Sequence, residues 1–337
     1  MPNLTLIDWS KRVDPDGTVP IIADLLSQTN AILQDAVYVE GNLPTGHRVT
    51  IATGLPLIYY RALNQGIPTS KATTAQVDES CSILEARSEV DLDLAKLNGN
   101  TAEFRLSEAR LFIEGMNQTM ATGLFYGNPA VDPKFFLGLA PRYSSTAAGN
   151  GQNIILGGSV AANVNTSVWL VCWSDQTVFC PFPKGSKAGL LQEDLGRQTS
   201  FDAGGTGLRM EVLAERFQWQ TGLAVKDWRY AVRIPNLEVA ALRALSGVLA
   251  PGVVTNLLHL MARAIACIPN AMMGRCVFYM NRTVFTALMR TALEKSNTAL
   301  AIQPALSQFG TPQAMLTFLG YQIRQCDALV NTEALVG

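Results

Sequence analysis

The chain has 337 residues, 26 basic and 27 acidic, giving a net charge of −1 with no run of Lys or Arg. Strong phosphate binding needs clustered positive charge, because affinity scales with the number of neutralised phosphates, so a dedicated nucleic-acid binder is disfavoured. Hydrophobic residues make up 48% and charged residues only 16%, against about 25% charged in a typical soluble protein. Less charge means less surface built for bulk water, which points to a subunit that buries much of its exterior on partners. The length is sufficient for about two domains. No segment reaches the roughly 18 uninterrupted apolar residues of a bilayer span. Met1-Pro2-Asn3-Leu4 lacks the basic and apolar regions of a signal peptide, so the expectation is synthesis and folding in the cytosol. The same start gives the expectation of no long scaffolding propeptide.

After the turn Asp14-Pro15-Asp16-Gly17, apolar pairs at Ile21/Ile22, Leu25/Leu26, Ile32/Leu33 and Ala36/Val37 repeat with helical spacing and predict an amphipathic helix. From about residue 47 the period becomes two. Val49, Ile51, Thr53, Leu55, Leu57 and Tyr59 share one parity, and predict a strand. Between residues 84 and 94 Leu84, Ala86, Ser88, Val90, Leu92 and Leu94 alternate with Glu85, Arg87, Glu89, Asp91 and Asp93, the pattern of a half-buried strand with one charged face. The polar segment Asn64 to Ser80 lies between them, and Pro68 to Thr74 holds nothing that builds a core. Loops of this length are usually functional or disordered, and a two-stranded projection is only marginally stable alone. The expectation is an arm lying on a neighbouring molecule.

A long helix is predicted from Asn100, capped by Asn100 with Glu103 as capping-box partner, and ended by Gly127-Asn128-Pro129. Phe104, Leu111/Phe112, Met116 and Met120 mark its buried side. Residues 144–167, rich in Ser, Ala, Gly and Asn, read as a flexible or inter-domain segment. Val168 to Trp173 is an apolar run expected as a buried strand. Strand patterning returns at Phe217, Trp219 and Thr221 and again at Trp228, Tyr230, Val232 and Ile234. The remainder is expected to be mostly helical. Val254, Leu257/Leu258, Met261 and Ile265 stripe one helix, and the strand Cys276 to Met280 leads into another carrying Phe285, Leu288/Met289 and Leu293. A last strand is predicted over Tyr321 to Leu329. Helices and strands mix without regular βαβ alternation, so the fold class is α+β.

Chemistry is sparse. The six cysteines form no C-x-x-C pair and read as reduced core residues; Cys172 and Cys180 flank a turn at Asp175-Gln176 and could oppose each other across a hairpin. His259 falls on the polar side of its helix and His47 in a loop, both read as structural rather than catalytic. Gly204-Gly205-Thr206-Gly207 has Met210 where a dinucleotide turn needs its third glycine, and reads as a turn between strands. Pro183-Lys184-Gly185-Ser186-Lys187 lacks phosphate-loop spacing. Asp91-x-Asp93 is a metal-ligand fragment, but the acidic face it belongs to reads better as solvated or paired with a neighbouring subunit. No catalytic residue, cofactor or metal is expected.

Several stretches together resemble the major capsid proteins of tailed double-stranded DNA bacteriophages. Cys276-Val277-Phe278-Tyr279-Met280-Asn281-Arg282 and its following helix look like their strand-to-helix entry. Gly310-Thr311-Pro312 through Leu319-Gly320-Tyr321-Gln322-Ile323 to Cys326-Asp327 resembles their closing strand. A podovirus-like subgroup is resembled at Gly41-Asn42-Leu43-Pro44-Thr45-Gly46-His47-Arg48, Gly54-Leu55-Pro56, Leu63-Asn64-Gln65-Gly66, Phe125-Tyr126-Gly127-Asn128, Phe182-Pro183-Lys184-Gly185-Ser186 and Lys226-Asp227-Trp228-Arg229-Tyr230.

The resemblance implies the Hong Kong ninety-seven-type capsid fold, with an axial domain, a peripheral domain with a spine helix, an extended loop and an N-terminal arm; some relatives reach it with altered strand connectivity. In those terms residues 1–46 are the N-terminal arm and helix, 47–98 the extended loop and 99–129 the spine-helix block. Residues 130–235 give strands of both domains, 236–309 mainly axial helices and 310–337 the closing strands. The implied function is self-assembly into pentamers and hexamers of an icosahedral virion shell, made in the host bacterial cytoplasm. Implied partners are further copies of the chain, weakly and non-specifically contacted double-stranded DNA, and decoration or cement protein, scaffold and portal, with no membrane. Lys71, Glu85, Arg87, Glu89, Asp91 and Asp93 are the expected inter-subunit contacts. Lys71 could alternatively be the donor of an autocatalytic isopeptide crosslink, but no acceptor matches by motif. The rival readings are an encapsulin-like bacterial nanocompartment shell, and a soluble α+β enzyme using His47 or His259.

Overall fold

The computed structural model describes residues 28–97, 101–201, 207–243, 253–292, 300–306 and 312–337. A single helical turn, Ile32–Asp35, precedes β1 (Tyr38–Glu40), β2 (Gly46–Gly54) and β3 (Thr73–Asp91). After the turn of helix Leu92–Lys96 comes the long helix Thr101–Tyr126 and then β4 (Asn165–Trp173), β5 (Val178–Phe182), β6 (Leu190–Phe201), β7 (Arg209–Gly222), β8 (Ala224–Val225) and β9 (Ala231–Glu238). Helices Val239–Arg243 and Val253–Cys267, β10 (Arg275–Met280), helix Arg282–Ala292, β11 (Leu300–Leu306), β12 (Pro312–Phe318) and β13 (Tyr321–Gln325) complete the described chain.

The main sheet runs β1-β5-β4-β10-β13-β12-β11, with β8 beside β5 and β9 beside β4. Every residue of β4 is buried, as its continuous apolar run requires for a central strand. Helix Val253–Cys267 adds Leu257, Met261 and Ala264 to the core, and helix Arg282–Ala292 adds Val284, Ala287 and Leu288. Asn281 caps the latter by accepting from the Val284 amide at 3.0 Å, so the Met-Asn-Arg entry is a strand end followed by a helix cap.

The second sheet has the order β2-β3-β7-β6. Phe104, Ala109, Met116 and Met120 of the long helix are buried, and Phe112 stacks on Phe217 of β7 with centroids 5.7 Å apart. A polar cluster pins the C-terminal segment to the core. Arg233 donates to Glu333 at 2.9 Å, both side chains are 5% exposed or less, and Tyr126 and Ser167 also donate to the Glu333 carboxylate. The Arg233 guanidinium lies 5.2 Å from the Trp169 ring centroid.

Several expectations need correction. The amphipathic helix over Ile21 to Val37 lies outside the described residues up to position 27; beyond it only Ile32–Asp35 is helical. The chain turns extended at Ala36 because Val37 already accepts from the Cys180 amide, at 2.8 Å, beside β5. The strand at 47 stops at Gly54 rather than continuing to Tyr59. The strand over 84–94 ends at Asp91, whose carboxylate accepts from the Asp93 and Leu94 amides and starts a helical turn. The 144–167 segment is not a loose linker, since Ile154 and Ile155 are buried and the Asn153 amide donates to the Trp228 and Ala231 carbonyls. The Asn100 cap and Leu293 lie outside the described residues. No residue pattern marks β6, β11 falls in the stretch expected to be mainly helical, β12 falls within the expected closing strands, and the last strand ends at Gln325 rather than Leu329.

Candidate assembly surface: a hairpin with an apolar tip

Strand β3 serves two partners. Thr73 to Ser80 pairs with β2 only, and Cys81 to Asp91 pairs with β7. The β2–β3 hairpin therefore runs for about 27 Å, eight residues at about 3.4 Å each, with no third strand paired to it, and Val49 and Glu79 are buried near its base. Its base is closed by backbone-to-backbone approach. A Cβ on Gly46 would lie 2.0 Å from the Glu79 carbonyl oxygen, and one on Gly222 would lie 2.4 Å from that of Ser80. These contacts give a physical reason for glycine at Gly46, inside one of the motifs quoted above.

The base is also locked by charge. Glu79 and Arg142 form a bidentate pair at 2.7 and 2.6 Å, with side chains 7% and 13% exposed, and Arg142 donates further to the Leu137 and Leu223 carbonyls. Farther out, Arg48 meets its cross-strand partner Asp78 at 2.6 and 2.8 Å. Their mutual hydrogen bond raises Arg48 and lowers Asp78, holding both charged. His47 belongs to β2 rather than a loop, edge-on to Phe179 at 5.2 Å. Burial, then Lys226, lowers its pKa against the opposing pull of Glu79. His259 is exposed on its helix, as its polar position implies.

The tip is apolar. Leu55, Leu57, Ile58, Tyr60 and Leu63 are 67% to 108% exposed, and Tyr59 and Ile67 are also exposed. Thr53 donates to Thr73 at 3.1 Å at the last strand pair, and Ser70 donates to the Leu57 carbonyl at 2.8 Å beyond it, which holds the two limbs together. Large exposed apolar patches are characteristic of contact sites. The alternation at Leu55, Leu57 and Tyr59 is a genuine signal, but it belongs to a surface facing away from the subunit. Between residues 55 and 72 the only charged side chains are Arg61 and Lys71.

Of the charged positions singled out in the sequence, Lys71 is exposed at the foot of this tip. Glu85 meets Arg216 at 3.1 Å and Gln218 at 3.2 Å; Arg87 donates to Gln198 at 2.6 Å and lies 3.5 Å from Glu89. Glu89 also accepts from Ser200, at 2.6 Å. These three are thus partnered across β3, β7 and β6, strands whose side chains meet on one sheet face. Asp91 is a helix cap and Asp93 is exposed. Arg105, from the long helix, pairs with Asp194 and Glu215 at 2.7 and 2.6 Å. Among the described residues there is no cluster of three metal-ligating side chains.

The sequence matches the family described as major capsid protein GP7 over residues 14–337. The chain belongs to that family. A chain of the bacteriophage Epsilon15 structure is 28% identical, with a TM-score of 0.75, over 100% of this chain and 98% of that one. The bacteriophage JBD30 capsid is 11% identical with a TM-score of 0.46, over 90% of this chain and 93% of that one. The SrpI encapsulin of Synechococcus elongatus is 11% identical with a TM-score of 0.45, over 70% and 97%. A comparison with curated protein sequences gives no match. The protein is thus a structural, shell-forming capsid protein of a phage virion, with a mixed helix-and-sheet fold of the Hong Kong ninety-seven type. No helix among the described residues is long and apolar enough to cross a membrane.

Proposed function

We propose that the β2–β3 hairpin is the extended loop of this capsid subunit, and that its apolar tip lies on a neighbouring copy. The observation that carries the reading is the group of seven large apolar side chains exposed at residues 55–67, held on a hairpin whose base is locked to the body. A tip and a distant receiving surface make a head-to-tail contact, which closes into rings when the rotation between copies allows. Rings of five and six then tile an icosahedral shell around double-stranded DNA, assembled in the host bacterial cytoplasm. DNA contact in this reading is weak and non-specific, as the near-zero net charge implies. Scaffold, portal and decoration proteins complete the particle.

In the same reading the helix Thr101–Tyr126 is the spine of the peripheral domain, within residues 99–129. Residues 1–46 form the N-terminal arm, 130–235 and 310–337 supply strands to both domains, and 236–309 supply mainly axial helices. Lys71 and Asp93 sit at the rim of inter-subunit contacts, while Glu85, Arg87 and Glu89 present an already neutralised ladder to the neighbour.

The test replaces Leu57, Ile58, Tyr60 and Leu63 together with Ser. The expected result is a subunit with unchanged circular dichroism that sediments as unassembled protein. Shells of normal size from this variant would overturn the reading.

A further inference from the structure

We propose that Cys172 and Cys276 constitute a redox-sensitive site, a cross-strand dithiol that closes to a disulfide on exposure to a low-molecular-weight disulfide. The two residues face each other directly in the antiparallel β4–β10 pair, Cys276 opposite Cys172. Opposed residues in such a pair have Cα atoms about 4.5 or 5.5 Å apart, and both spacings fall inside the roughly 4.4–6.8 Å window of disulfides. Residues opposed across a ladder also project to the same face of the sheet, so a small local approach of the strands brings the sulfurs together.

The Cys276 thiol donates to the Ala271 carbonyl at 3.7 Å, with Cys172 directly opposite on β4. Each thiol perturbs the other, holding Cys172 below the ordinary thiol value and, together with burial, Cys276 above it. Cys172 is fully buried, but the pair lies close to the strand ends. The pair stands one residue in from Trp173 and Arg275, where both strands end, and Cys276 is 8% exposed beside the exposed turn Ala271–Met273. Fraying of the strand ends admits a small reagent without global unfolding. The other sequence-level pairing, Cys172 with Cys180, lacks this geometry, because β4 and β5 run parallel and meet only at Trp173 and Val178.

The chemistry balances as an exchange. The Cys172 thiolate attacks one sulfur of the reagent disulfide, forms a mixed disulfide and expels one reagent thiolate, which takes a proton. The Cys276 sulfur then loses its proton, attacks the Cys172 sulfur and expels the second reagent thiolate. Two protein thiols are oxidised to one disulfide and one reagent disulfide is reduced to two thiols. The crosslink closes a loop of roughly 100 residues between two central strands, a length for which the constraint on the unfolded chain is large. A reducing compartment keeps the pair open during folding, and an oxidising medium closes it afterwards.

The experiment incubates the full-length protein with oxidised glutathione, blocks remaining thiols by alkylation and maps peptides without reduction. Expected are a linked Cys172–Cys276 peptide, four of the six cysteines alkylated, and a Tm raised by roughly 5 °C that dithiothreitol reverses. Cys276→Ser should lose both the linked peptide and the shift. Three outcomes would overturn the proposal: stable glutathione adducts at these residues without a link, a dominant link to Cys180 or Cys81, or six free thiols after incubation in sub-denaturing urea. The wild-type peptide map decides the matter even where the serine variant folds poorly.

Discussion

Arg142 donates through both terminal nitrogens to the Glu79 carboxylate, at 2.7 and 2.6 Å, from a site where both side chains are largely buried. Glu79 is in the last turn-free stretch of β3 before it enters the body, so this pair decides whether the hairpin is held at a fixed angle or swings. Charge-assisted hydrogen bonds contribute about 1.5–3 kcal/mol. Glu79→Gln should therefore leave the core folded while amides of residues 46–54 and 73–80 exchange roughly 10 to 100 times faster, read by hydrogen-exchange mass spectrometry. Unchanged exchange in those strands would remove the pair's anchoring role.

Arg233 and Glu333 serve a different end, since their pair is fully internal and fastens the C-terminal segment beneath the long helix through Tyr126. Removing one partner of a buried pair typically costs about 3–5 kcal/mol, because the other charge is left in a low-dielectric site. Glu333→Ala should lose about that much in denaturant unfolding of the unassembled subunit. The paired replacement Arg233→Met with Glu333→Leu should recover most of the loss.

The glycines at the hairpin base give a contrast within one hairpin. Gly46→Ala forces a Cβ onto the Glu79 carbonyl, whereas a Cβ at Gly66 in the tip meets nothing within 4 Å. Overpacking costs about 1–3 kcal/mol, which for a chain of this size lowers Tm by about 1.5–4 °C. Gly66→Ala should leave Tm within about 1 °C. Equal shifts at both positions in differential scanning fluorimetry would contradict the close approach at the base.

His47 carries a pH prediction. Burial and Lys226 hold its folded pKa below the ordinary value of 6.5, so on acidification the unfolded chain takes up the proton first. Stability contributed by neutral His47 is then present above about pH 6.5 and falls as pH drops below it. Wild-type Tm should decline from pH 7 to pH 5 more steeply than that of His47→Gln. An identical slope in the two proteins would exclude His47 as a source of acid sensitivity.

Much of this structure could be read from residue order, for reasons visible in particular elements. The central strand Asn165–Trp173 is signalled by an apolar run, the alternation from Leu84 to Val90 reproduces the buried and exposed faces of β3, and Phe104 to Met120 marks the helix face that packs on the sheet. What escaped depends on partners distant in sequence. Arg142 and Glu79 are 63 positions apart, and Arg233 and Glu333 are 100 apart, with no local pattern joining them. Strand β6 is amphipathic and solvent-facing, so its polar residues masked it. The tip misled in the opposite sense. Its apolar residues alternate like a core-facing strand, yet they are exposed on the subunit.

A cryo-electron microscopy map of the assembled particle tests the central claim most directly. The account predicts that residues 55–67 are ordered and buried against an adjacent subunit, with the Arg142–Glu79 pair intact at the hairpin base. A tip standing free in solvent, or folded back onto its own subunit, would contradict it.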